Sequence, residues 1–258
     1  MQDLFSVSGK TALVTGGTRG IGLMIARALV SGGARVYIAS RKPEDCERVA
    51  GELAEQGECI GIPADLSSEA GVNALTDEIR RREQRLDILV NNAGKTWGAP
   101  LEEYPDSAWD RVLSVNVKAV FNVTRNLLPL LEAAGSAETP ARIINIGSVA
   151  GLQADTLHAY AYGASKAAVH NLTRSLANEL APRHITVNAI APGPFPSKMT
   201  AYVLEDEDSA RRMAAGIPLG RVGREDDMAG LALYLCSRAG SYMTGNIIPL
   251  DGGLSNKP

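Results

Sequence analysis

The 258-residue sequence is poor in cysteine, histidine and aromatic residues. Its three cysteines, Cys46, Cys59 and Cys236, lie far apart and include no Cys-x-x-Cys pair. An odd number of scattered cysteines is typical of reduced thiols in a cytoplasmic protein, so we expect neither disulfides nor a thiolate metal site. The three histidines have no regular spacing that would suggest a ligand set. The cysteines and histidines therefore suggest no metal site.

Long apolar runs and an excess of basic charge are missing as well. No stretch of about 18 apolar residues occurs, which predicts no membrane span. The formal net charge is −3 and no basic stripe is present, which argues against a nucleic-acid partner. The first residues do not combine a basic stretch with an apolar one, so we expect no secretory signal.

What the chain does have is a regular alternation of apolar strand-like runs and helix-like segments. The predicted strands are Thr11–Thr15, Arg35–Ala39, Cys59–Pro63, Leu86–Val90, Arg142–Ile146, Thr186–Ile190 and Asn246–Pro249. The predicted helices are Ile21–Ser31, Pro43–Glu55, Glu69–Glu83, Ser107–Leu131, Gly163–Leu180 and Asp226–Ser237.

Short continuous strands that alternate with helices favour a parallel sheet covered on both faces. The sequence therefore predicts an α/β protein with a single domain over residues 1–258. Its sheet would be of the Rossmann type, doubly wound, with seven strands and helices on both faces. We interpret residues 195–216 as a substrate lid that contains a helical excursion within Met199–Gly216.

A glycine-rich turn follows the first strand and opens the first helix. Glycines at positions 16, 20 and 22 permit a tight turn and a close approach of the backbone to a pyrophosphate, while the helix N-terminus offers free N–H groups. A glycine-rich turn without a ligand is the alternative. The candidate cofactor residues in this turn are Gly16, Thr18, Arg19, Gly20, Ile21 and Gly22.

The end of the second strand indicates which dinucleotide would bind. A carboxylate there would bond the ribose 2′-hydroxyl of NAD, whereas arginine accommodates the 2′-phosphate of NADP. The strand ends in Ser40, Arg41 and Lys42 without an acid, and Arg19 lies in the preceding turn. Two guanidiniums suit charge-assisted pairing with a phosphate, so we favour NADP(H). The alternative is that these cations are only solvated loop residues.

The segment from Asn145 to Lys166 carries a candidate acid–base site. Ser148 follows a predicted buried strand, and Tyr162 and Lys166 lie four residues apart, on one face of a predicted helix. A nearby ammonium favours the phenolate and so lowers the pKa of a tyrosine, which makes it a better acid–base group at neutral pH. Taken alone, a structural tyrosine beside a solvated lysine would explain the same spacing.

Together these motifs resemble those of the short-chain dehydrogenase/reductase family, over nearly the whole chain. The resemblance implies that the pair after the third strand contacts the adenine of NADP(H). It also implies that the Asn-Asn-Ala-Gly after the fourth strand lines the adenosine, and that the turn after the sixth binds the nicotinamide carboxamide. These residues are, in that order, Asp65 and Leu66; Asn92, Ala93 and Gly94; and Pro192, Gly193, Phe195 and Ser197.

The same resemblance implies a catalytic tetrad of Asn116, Ser148, Tyr162 and Lys166, in which Asn116 holds a proton-relay water. Tyr162 and Lys166 would also contact the cofactor. Within the family the chain is most similar to bacterial NADPH-dependent 3-oxoacyl reductases, including their rhamnolipid-associated branch. That implies a ketone substrate, in particular a 3-oxoacyl thioester, and a homotetramer. Two alternatives stay open, a reductase of a sugar, polyol or xenobiotic ketone and a non-catalytic NADP(H)-binding regulator.

Some positions depart from the family pattern. Ser148 and Tyr162 are 14 residues apart, one more than is usual in the family, and we expect the extra residue within Ala154–His158. Tyr160 would restore the spacing but lies off the face of Lys166. Lys198 replaces a common Asp and is either an exposed loop lysine or a contact for an anionic substrate. Several residues are candidates for the walls of the substrate mouth, with Trp97 and Trp109 as core residues and the others after residue 198 as a lid packed on the domain for the alternative. They are His158, Trp97, Trp109, Met199, Tyr202, Val203, Leu204 and Met213.

Overall fold

The computed structural model describes residues 2–154, 158–197 and 206–256. Its strands are β1 (Thr11–Thr15), β2 (Arg35–Ser40), β3 (Cys59–Pro63), β4 (Ile88–Asn91), β5 (Ala141–Ile146), β6 (Ile185–Pro192) and β7 (Ile247–Leu250). Its α-helices are α1 (Gly20–Ser31), α2 (Pro43–Ala54), α3 (Glu69–Arg82), α4 (Asp106–Leu113), α5 (Ala119–Ala134), α6 (Tyr160–Leu180), α7 (Glu207–Ala215) and α8 (Glu225–Cys236).

The seven strands form one parallel sheet in the order β3-β2-β1-β4-β5-β6-β7. Strand β1 pairs with β2 on one side and with β4 on the other. The chain order reverses there, and ligands of doubly wound sheets bind in the crevice at that reversal, beyond the carboxyl ends of the strands. The predicted seven-stranded Rossmann-type fold is confirmed.

Alternate residues of the central strands feed two separate cores. In β1, Ala12 and Val14 belong to the cluster under α1, α2 and α8. Leu13 between them belongs to the opposite cluster, under α3, α5 and α6. Because successive side chains of a strand point to opposite faces, this alternation requires helices on both sides of the sheet.

Most element boundaries agree with the prediction, but the single helix predicted over Ser107–Leu131 is divided in the structure. A π-helical turn, Ser114–Lys118, separates α4 from α5 and contains Asn116. Turns of this kind inside helices are frequent at functional sites. Helix α6 begins at Tyr160 rather than Gly163, and the helical excursion expected before the last helix is observed as α7. None of the helices in the described part is long and apolar enough to cross a membrane.

Candidate active site

The β1–α1 turn is shaped to receive an anionic group. Gly16 and Gly20 adopt positive φ angles of 66° and 53°, which glycine tolerates far better than other residues. Helix α1 has no side-chain hydrogen bond at its N-cap, Arg19, and no acidic residue in its first turn. Its N-terminal N–H groups are therefore available to a phosphate.

Asn92 holds this turn against the neighbouring strand. Its side-chain amide donates to the carbonyl oxygens of Thr15 at 2.9 Å and Gly16 at 3.0 Å. A Cβ at Gly22 would lie 2.3 Å from the same amide nitrogen. Asn92 thus shapes the turn, and its predicted contact with the adenosine stays a prediction, as does that of Ala93.

The predicted determinants for a 2′-phosphate are Arg41, which follows β2, and Arg19, in the β1–α1 turn. Arg19 and Arg41 are exposed, and neither guanidinium is hydrogen-bonded or ion-paired to another described residue. Asp65 accepts hydrogen bonds from Ser67, which hold the pKa of its carboxyl below the usual value, with Lys95 and Arg41 adding to the effect. The neighbouring Leu66 is buried. Guanidiniums without an acidic partner suit a phosphate, and the joint contact of Arg19 and Arg41 with a 2′-phosphate stays a prediction.

Lys166 lies in the interior beside the carboxyl end of β5. Its side chain is buried, and Nζ donates to the carbonyl oxygen of Ile146 at 2.7 Å. The same Nζ lies 5.5 Å from the centre of the Tyr162 ring, one helical turn earlier. Burial lowers the pKa of Lys166 from 10.5 to about 8, because water no longer stabilises the ammonium.

Ser148 lies directly after β5, at the mouth of the same site. It is 8% exposed, and its hydroxyl accepts a hydrogen bond from the backbone N–H of Ala150 at 3.1 Å. The hydroxyl proton is therefore left to donate to a substrate oxygen. Ser148 lies two residues after Ile146, the residue whose carbonyl binds Lys166 Nζ, and Tyr162 lies one turn before Lys166 on α6. The predicted joint role of Ser148, Tyr162 and Lys166 stays a prediction.

Asn116 ties the loop after β4 to α6. Its amide nitrogen donates to the Lys95 carbonyl and to Ser165 Oγ, both at 2.9 Å, and its oxygen accepts from the Lys95 N–H at 2.8 Å. Ser165 donates in turn to the Tyr162 carbonyl at 2.7 Å. Gly94 adjoins this cluster, since a Cβ there would lie 3.8 Å from Lys166 Nζ. Asn116 is thus joined to the tetrad through its side chain, and its relay water stays a prediction.

The turn after β6 faces the glycine-rich turn. A Cβ at Gly20 would lie 3.4 Å from Cβ of Ser197. The ring of Phe195 turns inward and packs on Gly223, where a Cβ would lie 2.3 Å from a ring carbon. Only the backbone of Phe195 is then left for the predicted nicotinamide contact. Pro192, which is buried, and Gly193 begin the turn beside Asp251.

Sequence reasoning missed a buried amide network that connects β4 and β5 to α5 and α6. Asn91 donates to Asn145 at 2.9 Å and to Thr124 of α5 at 3.2 Å. Asn145 donates to Thr173 of α6 at 2.9 Å. An asparagine inside the apolar run Ile-Ile-Asn-Ile was the available signal, because a buried amide needs partners. His170, which is also buried, was not assigned a role either.

The substrate mouth is only partly within the described residues. Lys198, Met199, Tyr202, Val203 and Leu204 lie outside them, as do residues 155–157 of the expected loop. Trp97 and Trp109 are 42% and 37% exposed, so they are not core residues. Met213 is half-buried, and His158 is exposed.

No group of three or more His, Cys, Asp or Glu side chains in residues 2–154, 158–197 and 206–256 is arranged to hold a metal ion. All three cysteines are unpaired. The site therefore offers two kinds of chemistry. The glycine-rich turn and the exposed guanidiniums can bind phosphate groups, and the side chains of Ser148, Tyr162 and Lys166 can take part in proton transfer.

Comparison with known proteins gives one consistent family. The family model described as enoyl-(acyl carrier protein) reductase matches residues 16–255. The chain is 55% identical to the rhamnolipids biosynthesis 3-oxoacyl-(acyl-carrier-protein) reductase of Pseudomonas aeruginosa, over 98% of this chain and 99% of that one. It is 38% identical to the 3-oxoacyl-(acyl-carrier-protein) reductase FabG of Aquifex aeolicus, over 96% and 98%. Among solved structures, the Pseudomonas aeruginosa RhlG/NADP active-site complex superposes with a TM-score of 0.96 at 55% identity, covering 99% of this chain and 100% of that one.

Proposed function

The chain belongs to the short-chain dehydrogenase/reductase family, and we propose on this basis that it is an NADPH-dependent reductase of 3-oxoacyl thioesters. The product is the corresponding 3-hydroxyacyl thioester. The observation that carries the proposal is the buried Lys166, whose Nζ lies 5.5 Å from the Tyr162 ring and is bonded to the end of β5. A buried lysine with a lowered pKa, one turn from a tyrosine, is suited to acid–base chemistry at neutral pH.

NADP(H) fits the residues that surround this site. The positive-φ glycines and the uncapped α1 N-terminus suit its pyrophosphate, and Arg19 and Arg41 suit its 2′-phosphate. Lys166 would hold the ribose next to the nicotinamide, and the backbone of residues 192–197 would hold the carboxamide. When bound, NADPH supplies the hydride that reduces the carbonyl carbon of the substrate.

The chain's own residues supply the proton. Ser148 donates a hydrogen bond to the substrate carbonyl oxygen and orients it, and Tyr162 transfers its phenolic proton to that oxygen. The Lys166 ammonium stabilises the phenolate that remains. A water held at Asn116 then returns a proton from solvent to Tyr162. The oxygen gains one proton, the phenol loses one and regains it, and the side chains end as they began.

The substrate class is supported by the two relatives named as 3-oxoacyl reductases. A regulator without catalysis is disfavoured because Asn116, Ser148, Tyr162 and Lys166 are all present. We further infer a single NADP(H)-binding domain over residues 1–258, with a lid around residues 195–216 to which α7 contributes. A homotetramer is inferred from family kinship, and a cytoplasmic location from the unpaired cysteines.

The test is oxidation of NADPH by the purified protein, followed by its absorbance, with acetoacetyl thioesters beside simple ketones and sugars. The same panel is repeated with NADH. Fast turnover of the thioester with NADPH is expected. Turnover of sugars or simple ketones alone would overturn the substrate assignment and keep the reductase, and a preference for NADH would overturn the roles of Arg19 and Arg41.

A matched pair of tyrosine variants tests the acid. Tyr162→Phe removes the proton donor, and we expect kcat to fall by about 10²–10⁴-fold with little change in the Kd of NADPH. Tyr160→Phe is the control, because the 38% exposed Tyr160 packs edge-on against Tyr104 and lies two residues from Tyr162. Equal activity of the two variants would contradict the assignment.

A further inference from the structure

His170 lies in the interior, behind the catalytic residues and outside the tetrad. It is 3% exposed and follows Lys166 by four residues on α6. Residues four apart share a helix face, so Tyr162, Lys166 and His170 form one row along α6, in which Lys166 bonds the end of β5 and His170 packs on Gly147 directly after it. The mechanism proposed above uses the first two members of this row and leaves the third without a role.

The imidazole fills space left by two glycines that flank Ser148. A Cβ at Gly147 would lie 2.2 Å from His170 Nε2, and a Cβ at Gly151 would lie 2.9 Å from Cε1. Both distances are shorter than side-chain carbon atoms tolerate. At Gly147 the ring itself requires glycine, whereas a Cβ at Gly151 would meet the backbone of α6 even earlier, at 2.6 Å from the Lys166 carbonyl carbon and 2.7 Å from Ala167 N.

The rest of the turn is held by its own hydrogen bonds. The Ser148 hydroxyl accepts from Ala150 N at 3.1 Å, and the Ser148 carbonyl accepts from Gly151 N at 3.0 Å. These bonds fix the shape of the turn. Against α6 the turn packs directly at Gly151, whose missing Cβ lets it approach the backbone of Lys166 and Ala167, while at Gly147 it packs on the His170 ring. The ring of His170 touches the turn from the α6 side, before and after Ser148.

The ring is also electrically neutral at neutral pH. Burial lowers the pKa of His170 to about 4, the charges of Lys166 and Arg174 lower it too, and the backbone of Gly151 acts in the opposite direction. Neither ring nitrogen forms a hydrogen bond of normal geometry with a described residue. The ring therefore acts on the turn through its shape, without adding a positive charge beside Lys166.

We propose that His170 is a positioning residue, whose ring sets the distance between the Ser148 turn and the row formed by Tyr162 and Lys166 on α6. This inference deepens the proposed function and rests on it. The proposal is specific in that His170 acts through Ser148, because the ring contacts Gly147 before Ser148 and Gly151 after it. Lys166, by contrast, is anchored independently on Ile146.

A double-mutant cycle with Ser148 separates positioning from general destabilisation. His170→Leu is expected to lower kcat for the thioester by about tenfold or more and to leave the Kd of NADPH within about twofold. In the Ser148→Ala background the same change is expected to cost less than about twofold, since there is no hydroxyl left to position. Equal losses in both backgrounds would overturn the proposal.

Leu180→Ala is the matched control for stability. Leu180 is fully buried near the end of the same helix and belongs to the core on the α3, α5 and α6 side of the sheet. It should lower Tm while leaving kcat at 25 °C within about twofold. If Leu180→Ala reduced kcat as much as His170→Leu does, the effect of His170 would be one of stability and the proposal would fail.

A second cycle needs no turnover and holds even if the proposed function is wrong. Gly147→Ala should lower Tm sharply, because its new methyl group meets the imidazole. In the His170→Ala background the two contacts with the ring, at 2.2 and 2.7 Å, are gone, and the Ile190 carbonyl oxygen lies at 3.2 Å. We expect the Gly147→Ala penalty to shrink by about 5 °C or more there. An undiminished penalty would show that the ring does not hold the turn, whatever the substrate.

Discussion

Two buried cations lie at opposite ends of β5. Arg142, the second residue of the strand, is 1% exposed, and Lys166, which bonds the carbonyl of its last residue, Ile146, is 5% exposed. In the described ranges no carboxylate lies within ion-pair distance of either side chain. Buried cations without acid partners are costly, yet the two sites deal with this cost in different ways.

Arg142 is held by oxygen atoms that belong to the scaffold. Its guanidinium donates to the Ser237 carbonyl at 3.0 Å, directly after α8, and lies 3.5 Å from Thr186 Oγ1. The partial negative charge of a helix C-terminus stabilises a cation there. Burial lowers the pKa of Arg142, but arginine starts so high that it stays charged.

Lys166 meets a single carbonyl, and its pKa falls to about 8. An ammonium that is close to releasing its proton responds to nearby charges, as an acid–base site requires. The comparison shows that burial alone does not make a functional cation. The side chain must also have a pKa near the pH at which the enzyme works, and it must lie where a substrate can bind. In a doubly wound sheet that place is the crevice beyond the carboxyl ends of the strands.

The largest expected difference between the two cations is in catalysis. Lys166→Met should lower kcat by about 10²–10⁴-fold, because the phenolate of Tyr162 loses the charge that stabilises it. Arg142→Lys, the matched change at the other end of β5, should leave kcat within about twofold at 25 °C. Steady-state kinetics with NADPH and the thioester measure both. Residual activity of Lys166→Met within about tenfold of wild type would contradict its assigned role.

The sequence alone predicted one member of this pair and not the other. Lys166 is recognisable because its partners are local, with Tyr162 one turn earlier on the same helix. Arg142 opens the strand that the sequence predicted, where a charged residue usually meets solvent, and its burial depends on Ser237, 95 residues further on. The inward turn of the Phe195 ring onto Gly223 depends on a similar tertiary contact, which no local pattern encodes.

The same contrast explains which parts of the fold were predicted. The apolar strands and the glycine-rich turn are local signals, so the sheet and the helices on both faces followed from them. The π-helical turn around Asn116 did not, because its side-chain bonds to Lys95 and Ser165 come from other elements.

The next largest difference is in how stability depends on pH. Between about pH 8 and 10.5 the unfolded chain still binds the Lys166 proton that the folded protein has released. The free energy of unfolding therefore rises with pH in this window, by up to about 3 kcal/mol from this group. Lys166→Met should lack that contribution. Chemical denaturation of wild type and Lys166→Met, both without cofactor, at pH 7 and pH 10 measures it.

Comparison with the variant is needed because other groups titrate in the same window. Burial raises the pKa of Tyr37 and Cys236 to about 12, and both oppose the effect of Lys166 as the pH rises. These contributions cancel when the free energy of unfolding of Lys166→Met is subtracted from that of the wild type at the same pH. A difference that stays flat from pH 7 to pH 10 would show that Lys166 keeps its proton in the folded protein over this range, so that burial does not lower its pKa.

The smallest expected effect is that of converting one cation into the other. Arg142→Lys should cost about 1–3 kcal/mol of stability at pH 7, because an ammonium at this position would leave a buried oxygen of Ser237 or Thr186 unpaired. The new lysine would be as buried as Lys166, so part of the loss should be recovered between pH 8 and pH 10. Arg238→Lys, an exposed change next to Ser237, should cost less than about 0.5 kcal/mol. If Arg142→Lys lost the same stability at pH 7 and at pH 10, the new lysine would be protonated at both pH values. The site of Arg142 would then stabilise an ammonium as well as a guanidinium. The two ends of β5 would differ in their surroundings, and not only in the ordinary pKa values of arginine and lysine.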